Sequence, residues 1–303
     1  MSDRVSSYSL EDFYTDCVAL PGAAGAEARD ILAAGATIIR ADPSTTDHCR
    51  GELVSALRLA HGAPASLLSA LTRFFNAQRE SEPLDFQQVC ERIYEADYYP
   101  VAEHLIFAFP YGERRARTIL RACDEALSRS NANARVLDVG VGPGVIARRM
   151  TERHPGIELD VLDASSACLE YARLMLNSRR VAGAIRSDFR TYESAEPYDL
   201  IVASEVIEHV DDPTAAMIHL RSLLAAEGMI IVGVPVRLPM TMHLTVFSSI
   251  EDVSAMARNA GFVVNEGWLY PLYGDSVDVT LCLLAEQETA AMTQARREPP
   301  TDG

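Results

Sequence analysis

The residues able to do chemistry are concentrated in two short stretches. In the first, VLDVGVGPGV at 136–145, Asp138 is followed by Gly140, Gly142 and Gly144 at alternate positions. Glycines packed that closely behind an apolar run leave a backbone that a ligand can approach without side-chain obstruction. A dinucleotide fingerprint needs Gly-x-Gly-x-x-Gly, but here the third glycine comes one position early and Val145 follows it. The second stretch, SEVIEHVDDP at 204–213, carries Ser204, Glu205, Glu208 and His209. An imidazole there is either a general base or a hydrogen-bonded structural group.

Strands and helices must hold these stretches in place. From about residue 26 to 129 the apolar spacing is helical, as in DFQQVCERIYEA, where Phe86, Val89, Cys90, Ile93 and Tyr94 share one face behind an Asp85 cap. Pro64, Pro83, Pro100 and Pro110 punctuate this part into short helices. After Asn131, β-rich runs at 135–140, 158–163, 184–189, 199–204 and 229–234 alternate with helical patterns, which predicts βαβ units on a parallel sheet. Asp212-Pro213 starts one helix, with Met217, Leu220, Leu223 and Leu224 as its buried stripe and Gly228 after its end. Ser248-x-x-Glu251 reads as the capping box of another, ending near Gly261. Two last strands, 262–269 and 276–284, are joined closely enough to pair antiparallel. Residues just beyond the carboxyl ends of strands line the crevice of such a sheet, and both chemical stretches fall there.

The pattern Asp138-Val139-Gly140-Val141-Gly142-Pro143-Gly144 resembles the first motif of the class I S-adenosylmethionine-dependent methyltransferases. The resemblance covers residues 112 to 285 and implies a Rossmann-like α/β fold, with a seven-stranded, mainly parallel sheet and a last antiparallel strand. It further implies that Asp138 faces the methionyl ammonium, that Asp163, beside Ala164, takes the ribose hydroxyls, and that Asp188 and Phe189 flank the adenine. Ser204 and Glu205 complete the expected cofactor set. Glu205-x-x-Glu208-His209 resembles a motif of many small-molecule methyltransferases, ubiquinone-pathway O-methyltransferases among them, and of small-RNA 2′-O-methyltransferases. In some of those relatives this motif helps hold a divalent cation. With His243, in a stretch similar to their downstream His-x-x-x-Phe-Ser, the implied ligand set is Glu205, Glu208, His209 and His243, suited to Mg²⁺, Mn²⁺ or Fe²⁺. Without a metal, His209 is the candidate catalytic base, with Glu208 beside it.

Residues 1–111 are then expected as a helical cap over the crevice, with Tyr98, Tyr99, Glu103, His104 and His243 as candidate substrate contacts. Trp268, Tyr270 and Tyr273 read as core and loop packing. Residues 286–303 are expected as a disordered tail. The first 17 residues have no apolar core, so they read as neither secretory signal nor basic transit peptide, and the six scattered cysteines fit reduced thiols. A cytoplasmic location is expected. A net charge of −16 repels a phosphate backbone, and no apolar run is long enough to span a bilayer. The expected activity is methyl transfer to an oxygen or enolisable carbon of a small molecule. The alternatives are a small-RNA 2′-O-methyltransferase and a non-catalytic regulatory protein that binds the cofactor. A homodimer through the N-terminal helices has no sequence signature of its own.

Overall fold

The computed structural model describes residues 99–107, 110–129, 133–176, 181–239, 243–271 and 276–285. The helices expected before Tyr99, the candidate contact Tyr98, Tyr273 and the tail lie outside the described residues. Two helices come first, α1 (Tyr99–Ile106) and α2 (Pro110–Leu127). Each has its proline at the first or second position, where a missing N–H costs no helical bond.

Then β1 (Arg135–Val139), α3 (Val145–Arg153), β2 (Glu158–Asp163), α4 (Ser166–Met175), β3 (Val181–Arg186) and β4 (Tyr198–Ser204) follow as βαβ units. A 3₁₀ turn (Ile207–His209), α5 (Pro213–Ser222), β5 (Leu224–Val236), α6 (Ile250–Asn259), β6 (Phe262–Pro271) and β7 (Val277–Ala285) complete the domain. The sheet has seven strands in the order β3-β2-β1-β4-β5-β7-β6. Only β7 runs against its neighbours, pairing antiparallel with β5 and β6.

Side chains alternate across the sheet and build two cores. Val136, Leu200, Val202 and Ile231 face α2 to α4, where Ile119, Ile146, Met150 and Leu169 pack on them. Leu137, Val139, Ile201 and Ile230 face α5 and α6, meeting Met217, Leu220, Val253 and Met256. Burial on both faces explains why the central strands read as near-continuous apolar runs. Strand order reverses between β1 and β4, whose last partners are Val139 and Ala203, so the glycine stretch and the Glu-Glu-His stretch leave the sheet side by side. A reversal of this kind opens a crevice at the carboxyl ends of the strands.

Three local expectations are corrected. The third strand lies at Val181–Arg186, because its ladder with β2 ends at Asp163 and Arg186; Ser187, Asp188 and Phe189 belong to the turn beyond it. Leu224 is not in the helical stripe. The helix ends at Ser222, and an irregular ladder with β4 pairs Tyr198 with Leu224 and places Gly228 inside β5. The capping box is Ser249 with Asp252, one residue later than expected, since Asp252 accepts both the Ser248 and Ser249 amides.

Candidate active site

The glycine turn after β1 runs through left-handed backbone, with φ of 64° at Gly140, 49° at Gly142 and 72° at Gly144. A Cβ at Gly140 would overlap the Val206 side chain, and one at Gly144 would come within 3.1 Å of Ala172 on α4. Glycine is therefore required twice, for conformation and for close approach. Asp163, at the end of β2, fixes the same turn: one carboxylate oxygen accepts the Gly142 amide at 2.9 Å and the other the Ser165 amide at 2.9 Å.

A cavity of about 610 Å³ opens over this turn and continues past the end of β4. Asp138, Gly140, Gly142, Asp163, Ala164 and Phe189 line one part of it, while Ser204, Glu205 and His209 line another. Tyr99, Glu103 and Phe107 reach it from α1 and the residue after it. Asp138 is almost fully buried, and burial, helped by Asp163, pushes its carboxyl up to about 7. Burial likewise lifts Glu103 to about 7, against the pull of Arg115 and of a hydrogen bond from Tyr99. Both groups gain from a cation beside them.

Two expected contacts are occupied otherwise. Asp188 lines the cavity, yet its carboxylate clasps Arg190, with a shortest contact of 2.6 Å. Partial burial opposes its charge, but the Arg190 side chain and amide hold its pKa below the usual value. Its oxygens are therefore engaged by Arg190 rather than left open to an adenine amine. His104 turns away from the cavity: its Nδ1 meets the Tyr171 hydroxyl at 2.8 Å, and burial drives it down to about 3. It is a neutral core histidine, which corrects its expected role against substrate.

Glu205 adopts φ 57°, a left-handed conformation uncommon for a non-glycine residue. Its amide bonds the Gly233 carbonyl at 2.8 Å, and its Oε2 meets the Arg115 guanidinium at 3.0 Å. Arg115, on α2, in turn donates from Nε to Asp278 of β7 at 2.6 Å, and the Tyr270 hydroxyl donates to the same Asp278 oxygen at 2.7 Å. One oxygen of Glu205 is thus held by an arginine, and its carboxylate is not among the ligand atoms that converge with His209 and His243.

The rest of that set does assemble. Glu208, His209 and His243 bring one ligand atom each to within 4.8 Å of one another. Glu208 is fully buried with neither carboxylate oxygen hydrogen-bonded, and burial pushes its carboxyl up to about 8. Its nearest contact with His209 Nε2 is 3.9 Å, too long for a hydrogen bond. The rings of His209 and His243 meet edge to face at 5.1 Å. His243 Nδ1 lies 2.8 Å from the Leu238 carbonyl, which fixes the proton on Nδ1 and leaves Nε2 as a lone-pair donor. Orphaned carboxylate oxygens and an oriented imidazole fit a divalent cation.

Arg115 and Asp278 escaped the sequence reading. Arg115 sits in GERRAR, indistinguishable from a solvated helix face, while Asp278 and Thr280 in VDVTLCLL carried a usable signal: polar residues inside a strand buried on both faces.

Residues 111–267 match the family model described as the methyltransferase domain, just over half of the chain, and the chain belongs to that family. It is 29% identical over 140 residues to a malonyl-[acyl-carrier protein] O-methyltransferase of Halalkalibacterium halodurans, covering 44% of this chain and 52% of that protein. With a ubiquinone biosynthesis O-methyltransferase of Xanthomonas axonopodis pv. citri it shares 28% over 167 residues, 46% of this chain and 67% of the relative. The match to a second malonyl-[acyl-carrier protein] O-methyltransferase, from Ilyobacter polytropus, spans only 35% of that protein. The chain thus spans about half or less of the length of these malonyl-[acyl-carrier protein] relatives. Among solved structures, N-methyltransferase NodS of Bradyrhizobium japonicum in complex with S-adenosyl-L-homocysteine superposes with a TM-score of 0.52 at 20% identity, over 67% of this chain and 99% of that one. Magnesium protoporphyrin IX methyltransferase of Synechocystis gives 0.52 at 13% identity, over 67% and 98%. These two likenesses establish the shared fold. No helix among the described residues is long and apolar enough to cross a membrane.

Proposed function

We propose that this chain transfers the methyl group of S-adenosylmethionine to an oxygen, or an enolisable carbon, of a small molecule. One observation carries the reading: a single cavity joins the glycine turn and Asp163 to His209 beyond β4, at the point where strand order reverses. The residues fit the cofactor, since Asp138 is a buried carboxylate that gains from an ammonium and Asp163 stands where a ribose is expected. When bound, the cofactor supplies a methyl already activated on a sulfonium centre. The protein then has to align the acceptor and remove a proton. His209 lines the cavity and is the candidate base, with Ser204 and Glu205 at its near edge. Phe189 and Ala164 offer the adenine an apolar wall. Tyr99, Glu103 and Phe107 support a covering role for the N-terminal region, residues 1–111, over the methyltransferase domain at 112–285. The buried Cys123, Cys168 and Cys282 are in no disulfide, which agrees with a cytoplasmic protein.

The experiment is calorimetric titration with S-adenosylmethionine, paired with homocysteine release from an acceptor library. Asp163→Ala is expected to weaken cofactor binding about 100-fold or more, as it loses both the ligand contact and the brace on Gly142. His209→Ala is expected to lower turnover about 100-fold at nearly unchanged cofactor affinity. Unaltered binding in the first variant sinks the cofactor assignment, and full activity in the second removes the base.

A second reading is favoured by the orphaned oxygens of Glu208: a divalent cation held by Glu208, His209 and His243, which would supply Lewis acidity to an acceptor oxygen. Manganese titrated into chelator-treated protein is expected to bind, and Glu208→Gln to abolish that binding. No heat in the unsubstituted protein excludes the metal.

A further inference from the structure

The acceptor end of the cavity is short of positive charge. Two guanidiniums, Arg115 and Arg190, line the cavity, and both are engaged: Arg190 by Asp188, Arg115 by Asp278 and Glu205 together. Asp138 and Asp163 belong to the cofactor end. That leaves Glu103, Glu205 and Asp211 among the lining acids, with Glu205 within electrostatic reach of Glu103 and of the buried Glu208. Around Arg115 the count is one guanidinium against four carboxylates, Glu103, Glu205, Glu208 and Asp278.

The hydrogen-bond inventory agrees. Glu205 Oε1 is buried without a partner, as are both oxygens of Glu208 and Oδ1 of Asp278. Of these residues Glu205 lines the cavity, and a buried acceptor left unpaired there marks where a donor is to be bound. Glu205 is also held in a strained left-handed backbone and clamped on its other oxygen, so its free oxygen is presented by the fold rather than by chance. Resting on the methyltransferase reading above, we infer that the acceptor molecule carries a protonated nitrogen, an ammonium or similar cation, which Glu205 and Glu103 receive beside the methyl-accepting atom.

An ammonium offers three donors and one positive charge, which matches two carboxylates converging on a pocket of low dielectric. An acceptor bearing a carboxylate would meet unpaired carboxylates there, and every lining guanidinium among the described residues is already taken up. The malonyl-[acyl-carrier protein] relatives are named for an anionic group, so this inference separates the chain from them. A divalent cation at Glu208 would add positive charge beside Glu205, so the test is run on chelator-treated protein.

The test uses the full chain saturated with S-adenosylhomocysteine and two matched sets of hydroxyl compounds. One is tyramine, 4-ethylphenol and 4-hydroxyphenylacetate; the other is 5-aminopentan-1-ol, pentan-1-ol and 5-hydroxypentanoate. Calorimetry is expected to rank the ammonium member of at least one set about tenfold or more above its neutral counterpart, with the carboxylate weakest. Glu103→Gln should shrink that preference while leaving S-adenosylhomocysteine binding in place, and Glu205→Gln should shrink it further; Glu103→Gln serves if the other variant fails to fold or loses S-adenosylhomocysteine. A carboxylate member that binds as well as its ammonium counterpart overturns the inference, and so does an absence of binding by both ammonium compounds. Failure of the methyltransferase reading looks different: S-adenosylhomocysteine itself would not bind.

Discussion

Glu103 and His104 are neighbours on α1, and burial moves them in opposite directions, the acid up to about 7 and the imidazole down to about 3. Each therefore makes stability depend on pH, with opposite sign. The folded state holds the Glu103 proton more tightly than the unfolded chain, so its contribution is complete below its ordinary value of 4.5 and is lost as pH rises to about 7. His104 is kept neutral, so its contribution is complete above 6.5 and is lost as pH falls toward 3. Thermal unfolding of cofactor-free protein should therefore show Glu103→Gln gaining on the parent as pH is raised from 4.5 to above 7. His104→Gln, destabilised at neutral pH by loss of the Tyr171 contact, should recover ground on the parent as pH is lowered. Parallel pH curves for parent and variant refute the corresponding assignment. The sequence offered both as substrate contacts, although adjacent residues on a helix point to different sides; which one met the cavity depended on α4, because Tyr171 claims His104. Asp138, Asp163 and the glycines were readable because their places follow from strand ends. The pairing of Asp188 with Arg190 was not, although only two residues separate them, since a turn's geometry decides whether such side chains meet.

At the scale of elements, β7 matters beyond its place in the ladder. Its Asp278 is fully buried and ties Arg115 of α2 to Tyr270 of β6, so a helix that precedes β1 is fastened to the far side of the sheet. Removing one partner of a buried ion pair leaves the other uncompensated, and Asp278→Ala should lower stability by about 3 kcal/mol in urea unfolding, with Asp278→Asn milder. An unchanged midpoint in both variants contradicts the clamp. Element types and order were legible, because periods of two and of about three and a half residues alternate cleanly after Asn131. Boundaries were less so where a partner strand decides them. The third strand moved toward the N-terminus, and Leu224 passed from helix to strand, because ladders with irregular registers set those limits. The capping box slipped by one since two serines and two acids lie in tandem, and only the path of the backbone selects Ser249.

For the whole molecule, a net charge of −16 and a cavity dominated by carboxylates act together. Polyanions such as RNA are repelled at long range, while a small cation is drawn toward the cavity mouth. The charge was legible from composition, and its direction toward the acceptor became visible only once Arg115 and Arg190 were seen to be engaged.

The strand order has a consequence for synthesis. Chains emerge from the ribosome amino end first, and β7, last of the seven strands to appear, is inserted between β5 and β6 rather than added at an edge. Until it arrives, β5 exposes a bare ladder edge, β6 has no strand to pair with, and Arg115 waits for a partner 163 residues downstream. The glycine turn and Asp163 are complete long before that moment. A nascent chain thus owns one half of its cavity while the wall that Arg115 and Glu205 build is still unbraced, and the cavity is complete only when the last of the seven strands closes the sheet.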